Sequence, residues 1–357
     1  MRKKIIAAIA AIGAAALFIA LGVSLQRLLM PKYMSGVYEG RLVEEYYAED
    51  KSHDVIFIGD CEVYENIIPL TLWENYGITS CIRGSPQQLV WQSYYLLEET
   101  LKYEKPKVVV FSVLAMKYDT PQSEAYNRLT LDGMRPSISK LRSVLASMTG
   151  GEDLITYGLP ILRYHDRWRE LDGDDLKYYF SGENVSHNGY MMRCDVKPVT
   201  IIPTGPKLPD YRFGQTSYEY LDKITDLCKA SGVELVLLKA PSLYPYWYDE
   251  WDEQMAQYAS RNNIRYLNTL TLLDEIGLDF EYDTYDAGLH LNLSGAEKTS
   301  VYLGNYLCAN YDLPDQRDDA RLGALWDGKA DLYYGMMEAQ LAEIEAFGSI
   351  STFTYRK

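Results

Sequence analysis

The chain has 357 residues, 47% hydrophobic and 24% charged, with a formal charge of −15. This is a globular composition, long enough for one large domain or two small ones. The acidic balance excludes nucleic acid, whose phosphates need clustered Lys and Arg, and is a poor match for binding anionic lipid through the folded part.

Arg2, Lys3 and Lys4 precede an apolar run from Ile5 to Val23, with no charge before Arg27. A run of that length crosses a bilayer as a helix. Basic residues before it place the N-terminus in the cytoplasm and the folded part outside, so a single-pass cell-membrane protein is expected. Residues 1–30 are read as a retained signal anchor. The competing reading is a signal peptide cleaved near Ala20-Leu21-Gly22. A polar connector over 31–53 follows, helical around 41–47.

An α/β rhythm then begins. The apolar runs 55–58, 78–82 and 107–113 read as buried parallel strands. Helices are expected between them over 65–76 and 86–103, the second opened by Pro86. Residues 119–213 break the rhythm and read as a largely helical insertion covering one end of the sheet. Alternation resumes with a helix at 217–231, a strand at 233–239, a helix at 249–262 and a strand at 264–268. A helix over 293–309 closes the α/β domain, 54–312. Residues 313–357 form a C-terminal tail, helical over 315–347. The fold class is therefore a doubly wound, flavodoxin-like parallel sheet preceded by one transmembrane helix. The 32 tyrosines are read as half-buried packing more than as carbohydrate contacts.

Ligands in such sheets bind at the carboxyl ends of the strands. Gly59-Asp60-Cys61, Arg83-Gly84-Ser85, residues 112–118 and Ala240-Pro241-Ser242 all fall there. Cys61 lies between a strand and a helix, where a helix N-terminus and a nearby histidine would lower the thiol pKa. His290 is one of four histidines, and Asp286 can orient it from the same loop. Asp283 is a second orienting candidate. Gly84 and Cys61 offer backbone N–H groups to an oxyanion. Asp60, Arg83, His165 and Asn292 are candidate substrate contacts. His53 and His187 read as surface residues. The five scattered cysteines show no metal spacing and no disulfide framework. No phosphate loop or metal cluster is visible, and neither cofactor nor metal is expected.

Gly59-Asp60-Cys61, Gly84, and His290-Leu291-Asn292 followed by Gly295-Ala296-Glu297-Lys298 occur in an order that resembles the SGNH/GDSL hydrolase superfamily. They are most similar to its membrane-anchored branch, which includes alginate-type O-acetyltransferases and D-alanine transfer proteins of teichoic acid. The resemblance covers about 54–118 and 216–309. It implies a nucleophile at Cys61, a base at His290, an acid at Asp286 and an oxyanion donor at Gly84. Three features depart from the family pattern. Cysteine replaces serine, the Asp-to-His spacing is four instead of three, and no Gly-x-Asn-Asp block follows the third strand.

The resemblance implies an extracytoplasmic acyltransferase or esterase acting on O-acyl, and specifically O-acetyl, groups of cell-envelope polysaccharide. A multi-span membrane acyltransferase is then the implied acyl source. The alternative is a catalytically inactive relative that binds glycan or an assembly partner. A cysteine hydrolase of peptides or amides ranks last.

Overall fold

The computed structural model describes residues 2–30, 32–33, 37–38, 40–181, 184–202 and 204–350. Parts of the connector and insertion, and the last seven residues of the tail, lie outside the described residues. Helix α1 is Arg2–Leu29, 28 residues long and apolar enough to cross a membrane. Strands β1 (Val55–Gly59), β2 (Ser80–Gly84), β3 (Val108–Ser112), β4 (Glu234–Lys239) and β5 (Arg265–Asn268) form one sheet in the order 2-1-3-4-5. Every pairing is parallel. The doubly wound fold expected from the strand–helix rhythm is the fold observed.

The strand patterns explain the layering. Successive side chains of a strand point to opposite faces. Ile56, Ile58, Val109, Phe111, Leu235 and Leu237 pack on one side of the sheet. Val55, Phe57, Val108, Val110, Val236 and Leu238 pack on the other. Both faces are therefore covered, which is why the strands read as continuous apolar runs. After β1 come α2 (Cys61–Tyr64) and α3 (Pro69–Tyr76), and α4 (Val90–Tyr103) joins β2 to β3. Helix α4 starts four residues later than Pro86 suggested. Gln87 adopts φ 50°, and Gln92 Oε1 accepts from the Leu89 N–H at 2.9 Å, which fixes the start at Val90.

The insertion contains α5 (Glu124–Leu131), α6 (Ile138–Ser147), α7 (Ile155–Gly158), α8 (Ile161–Tyr164), a 3₁₀ turn over His165–Arg169, and α9 (Gly173–Ser181). Its final part runs along an edge of the sheet. The Ile82 N–H donates to Asn188 O at 2.9 Å, and Asn188 Nδ2 donates to Ser80 O at 3.0 Å. This satisfies backbone groups that edge strand β2 would otherwise leave open. Helices α10 (Gln215–Ser231), α11 (Asp249–Asn262) and α12 (Leu293–Asn310) complete the crossovers. The tail holds α13 (Ala320–Phe347), whose Trp326 stacks on Trp73 at 5.3 Å and joins the core.

Candidate active site

In the strand order 2-1-3-4-5, the chain leaves β1 toward β2 and then crosses back to β3. The crevice at such a switch point opens between the carboxyl ends of β1 and β3. Gly59 ends β1 beside Ser112, the last residue of β3. A Cβ at Gly59 would lie 2.6 Å from Ser112 Cβ, so glycine is what allows the two strand ends to meet. Asp60 then caps α2, its Oδ1 accepting from the Glu62 N–H at 3.2 Å. That cap sets the half-buried Cys61 as the first residue of α2, at the mouth of the crevice.

The histidine arrives on a folded loop between β5 and α12. Thr284 Oγ1 donates to His290 O at 2.7 Å and accepts from the Gly288 N–H at 2.8 Å. Asn66, five residues after Cys61, accepts from the Leu291 N–H at 3.0 Å and so ties this loop to the turn that carries Cys61. Asp286 holds His290 twice, through Oδ2 to Nδ1 at 2.6 Å and through Oδ1 to the backbone N–H at 2.8 Å. With Nδ1 engaged, the buried Nε2 is left without a hydrogen-bond partner among the described residues. The Cys61 thiol is close enough that it and the imidazole perturb each other's titration. The structure therefore brings Cys61, His290 and Asp286 together, with the thiol and the imidazole interacting directly.

Two groups that sequence reasoning missed complete the histidine's surroundings. Glu65 Oε2 lies 3.4 Å from His290 Nδ1 and accepts a hydrogen bond from Tyr285, whose ring stacks on the imidazole. The Arg193 guanidinium sits over the Tyr285 ring at 4.4 Å. Glu65 stands one helical turn beyond Cys61, and that spacing was the available signal.

Electrostatics here run partly against expectation. Burial pushes the Cys61 thiol up to about 11, with His290 pulling it down and Asp60 pushing it up. Helix α2 has only four residues, so its dipole is small, and the expected lowering of the thiol pKa is overturned. Burial opposes a charged imidazole at His290. Glu65, Cys61 and the bond to Asp286 outweigh it and raise its pKa well above the ordinary histidine range. Burial and the Glu62 carboxylate also raise Asp60, to about 6.

Beneath the site, Glu62 and Lys239 form a fully buried ion pair at 2.5 Å. Glu62 Oε2 also accepts from Ser112 Oγ and from the Ala240 N–H, both at 3.3 Å. A lone lysine in an apolar strand was the signal, since a buried charge requires a partner. Lys117, which follows β3, has its ammonium at 4.9 Å from the Tyr118 ring and no salt bridge or hydrogen bond among the described residues. Asp60 and Cys61 act on its charge, which places it at this crevice.

Other sequence candidates lie elsewhere. Arg83 is buried completely and is bound to Thr100 Oγ1, Val43 O and Glu99 at 3.1–3.3 Å, so it cannot reach a substrate. Asn292 caps α12 and bonds Tyr282 O at 2.7 Å, a positioning role for the histidine loop. Asp283 is engaged by Ser294 at 2.8 Å and Lys298 at 2.6 Å, which leaves Asp286 as the orienting acid. His165 is exposed on the 3₁₀ turn, bonded to Leu162 O at 3.1 Å. His187 and His53 are buried, contrary to the surface reading. Gly84 ends β2 against α2, where an added Cβ would lie 3.2 Å from Val63 and Tyr64. A cavity of about 720 Å³ opens at the opposite, amino-terminal end of β3, β4 and β5, and no cysteine, serine or histidine lines it.

No family model and no curated protein matches the chain. A structural neighbour is a lipolytic protein of the G-D-S-L family from Desulfitobacterium hafniense. It covers 71% of this chain and 99% of that one, at 13% identity and a TM-score of 0.38. A likeness that distant carries no argument about activity, so the functional reading rests on this chain's own residues.

Proposed function

We propose that the protein is an extracytoplasmic acyltransferase or esterase using a Cys61–His290–Asp286 triad. The observation that carries this reading is the His290 imidazole held by Asp286 at 2.6 Å from Nδ1 and interacting with the Cys61 thiol. A nucleophile, a base and an orienting acid in that relation serve acyl transfer on unrelated folds.

His290 Nε2 takes the Cys61 proton, and the raised basicity of the imidazole favours that transfer despite the burial of the thiol. The thiolate attacks the acyl carbonyl, a C–S bond forms, and the tetrahedral oxyanion meets the backbone N–H groups of Cys61 and Gly84. Donors of that kind contribute about 3 kcal/mol each. The ester C–O bond breaks, and the leaving alkoxide takes the proton from His290. A second hydroxyl then gives its proton to His290 and attacks the thioester carbonyl, the C–S bond breaks, and the released thiolate takes that proton back from His290.

The acyl group of this reading is O-acetyl, and the acceptor is cell-envelope polysaccharide or water. The sequence resemblance and the apolar α1 support an envelope location and a multi-span membrane acyltransferase as donor. Asp60, buried as the cap of α2, is assigned to holding the turn of Cys61 and not to touching substrate. The second reading is a glycan- or partner-binding relative without activity. The raised Cys61 pKa favours it, because a protonated thiol is a poor nucleophile.

Intact mass after incubation with an activated acetyl ester decides between them. One acetyl group on Cys61, absent in Cys61→Ala and strongly reduced in His290→Ala, supports the triad. No adduct, or an adduct indifferent to His290, favours the binding reading.

A further inference from the structure

The insertion shows an inverted helix. On α6, Ser139, Ser143 and Ser147 are buried, while Ile138, Leu141 and Leu145 are exposed. Both sets recur at helical spacing, so three serines with Val144 point into the protein while three large apolar side chains, with Arg142, point out. Asn127 of α5 donates to Ser147 O at 2.7 Å, and Arg128 of α5 donates to Thr156 Oγ1 at 2.6 Å, which locks α6 and α7 into one unit. Further along the insertion, Leu159, Leu162 and Trp168 are exposed as well. A soluble surface rarely exposes so many large apolar side chains in one stretch.

What covers this face follows from where α1 ends. Arg167 Nη1 donates to Leu29 O at 3.2 Å and to Met30 O at 2.6 Å. The Ile161 N–H donates to Gln26 at 3.5 Å, and Ser24 is hydrogen-bonded to Tyr179. The last turns of the apolar helix are therefore seated on the 3₁₀ turn, α8 and α9. A 28-residue helix is about 42 Å long, against a hydrocarbon core of about 30 Å. A spanning α1 would end at the headgroup layer and hold Leu159, Leu162 and Trp168 against it. Trp168 carries Arg169 at 5.1 Å from its ring, an aromatic and a cation of the kind enriched at that depth.

We infer that Leu159, Leu162 and Trp168, beside the seat of α1, lie in the membrane interface and pack on lipid acyl chains of the leaflet where α1 emerges. The driving term is apolar burial, since a chain of charge −15 gains little from anionic headgroups. The inference rests on α1 crossing the membrane.

Trp168 supplies the test. It is 62% exposed, whereas Trp73, Trp91, Trp247, Trp251 and Trp326 are buried. The full chain is reconstituted in phosphatidylcholine vesicles with and without brominated acyl chains. Subtracting the Trp168→Phe signal isolates Trp168. Its fluorescence should fall at least twofold with brominated lipid, and Leu159→Glu with Leu162→Glu should relieve the quenching. An unquenched Trp168 in a chain that resists alkaline carbonate overturns this inference, leaves the anchor intact and points to a protein partner on this face. Quenching in a chain that carbonate releases shows lipid contact without a spanning α1 and overturns the inference as stated. Release without quenching overturns both.

Discussion

Glu65 Oε2 lies 3.4 Å from His290 Nδ1, so the imidazole answers to two carboxylates. One belongs to its own loop, and the other stands one turn after the nucleophile. The sign of the consequence is fixed. A carboxylate near an imidazolium raises its pKa, and the free base appears only above that pKa. Glu65→Gln should move the acid limb of Cys61 acylation to lower pH by about one unit. A pH profile of single-turnover acylation reads it, and an unmoved limb would show that Glu65 does not act on His290.

Asp286 and Asp283 should separate cleanly. Asp286→Asn removes the charge that orients Nδ1, and acylation should fall by about 10²–10⁴-fold with little change in stability. Asp283→Asn weakens the anchoring of α12 through Ser294 and Lys298. It should cost about 1–3 kcal/mol and leave the acylation rate of folded protein nearly intact. Denaturant titration beside burst kinetics distinguishes the two. The reverse pattern would make Asp283 the functional acid.

The Glu62–Lys239 pair lies next to Cys61 with both charges fully buried. Removing one partner leaves an unpaired charge, so Glu62→Gln and Lys239→Met should each destabilise by about 3–5 kcal/mol. The double variant should recover much of that loss. Strict additivity in a double-mutant cycle would mean that the pair is not coupled.

Asp60 makes stability depend on pH. Its folded pKa is raised from 3.8 to about 6, so between those values the folded state binds more proton than the unfolded state. Stability should therefore be greater below pH 4 and decline as pH rises toward 6, by at most about 3 kcal/mol from this group. Asp60→Asn keeps an acceptor for the Glu62 N–H and should flatten that decline. Denaturation midpoints measured from pH 4 to 7 would reveal it, and an equal slope in both proteins would refute it.

Periodicity and turn chemistry made the five strands, the flanking helices and the long apolar α1 legible, because these are local patterns. The same patterns put Cys61, Asp286 and His290 at loop and strand ends. Arg83 misled because a strand-end position says where a backbone is, not which face a side chain takes. Facing the layer of Tyr46 and Glu99, it is locked into the interior. The late start of α4 came from a left-handed turn at Gln87 that Pro86 concealed.

What the chain determined alone was the order of elements and the apolar faces, both encoded within a few residues of each position. Only the tertiary structure decided which charges meet. Glu65 and His290 are 225 residues apart, Glu62 and Lys239 are 177 apart, and the thiol's pKa rises because packing excludes water from it. Burial and long-range pairing depend on how layers close, and no local pattern carries that information.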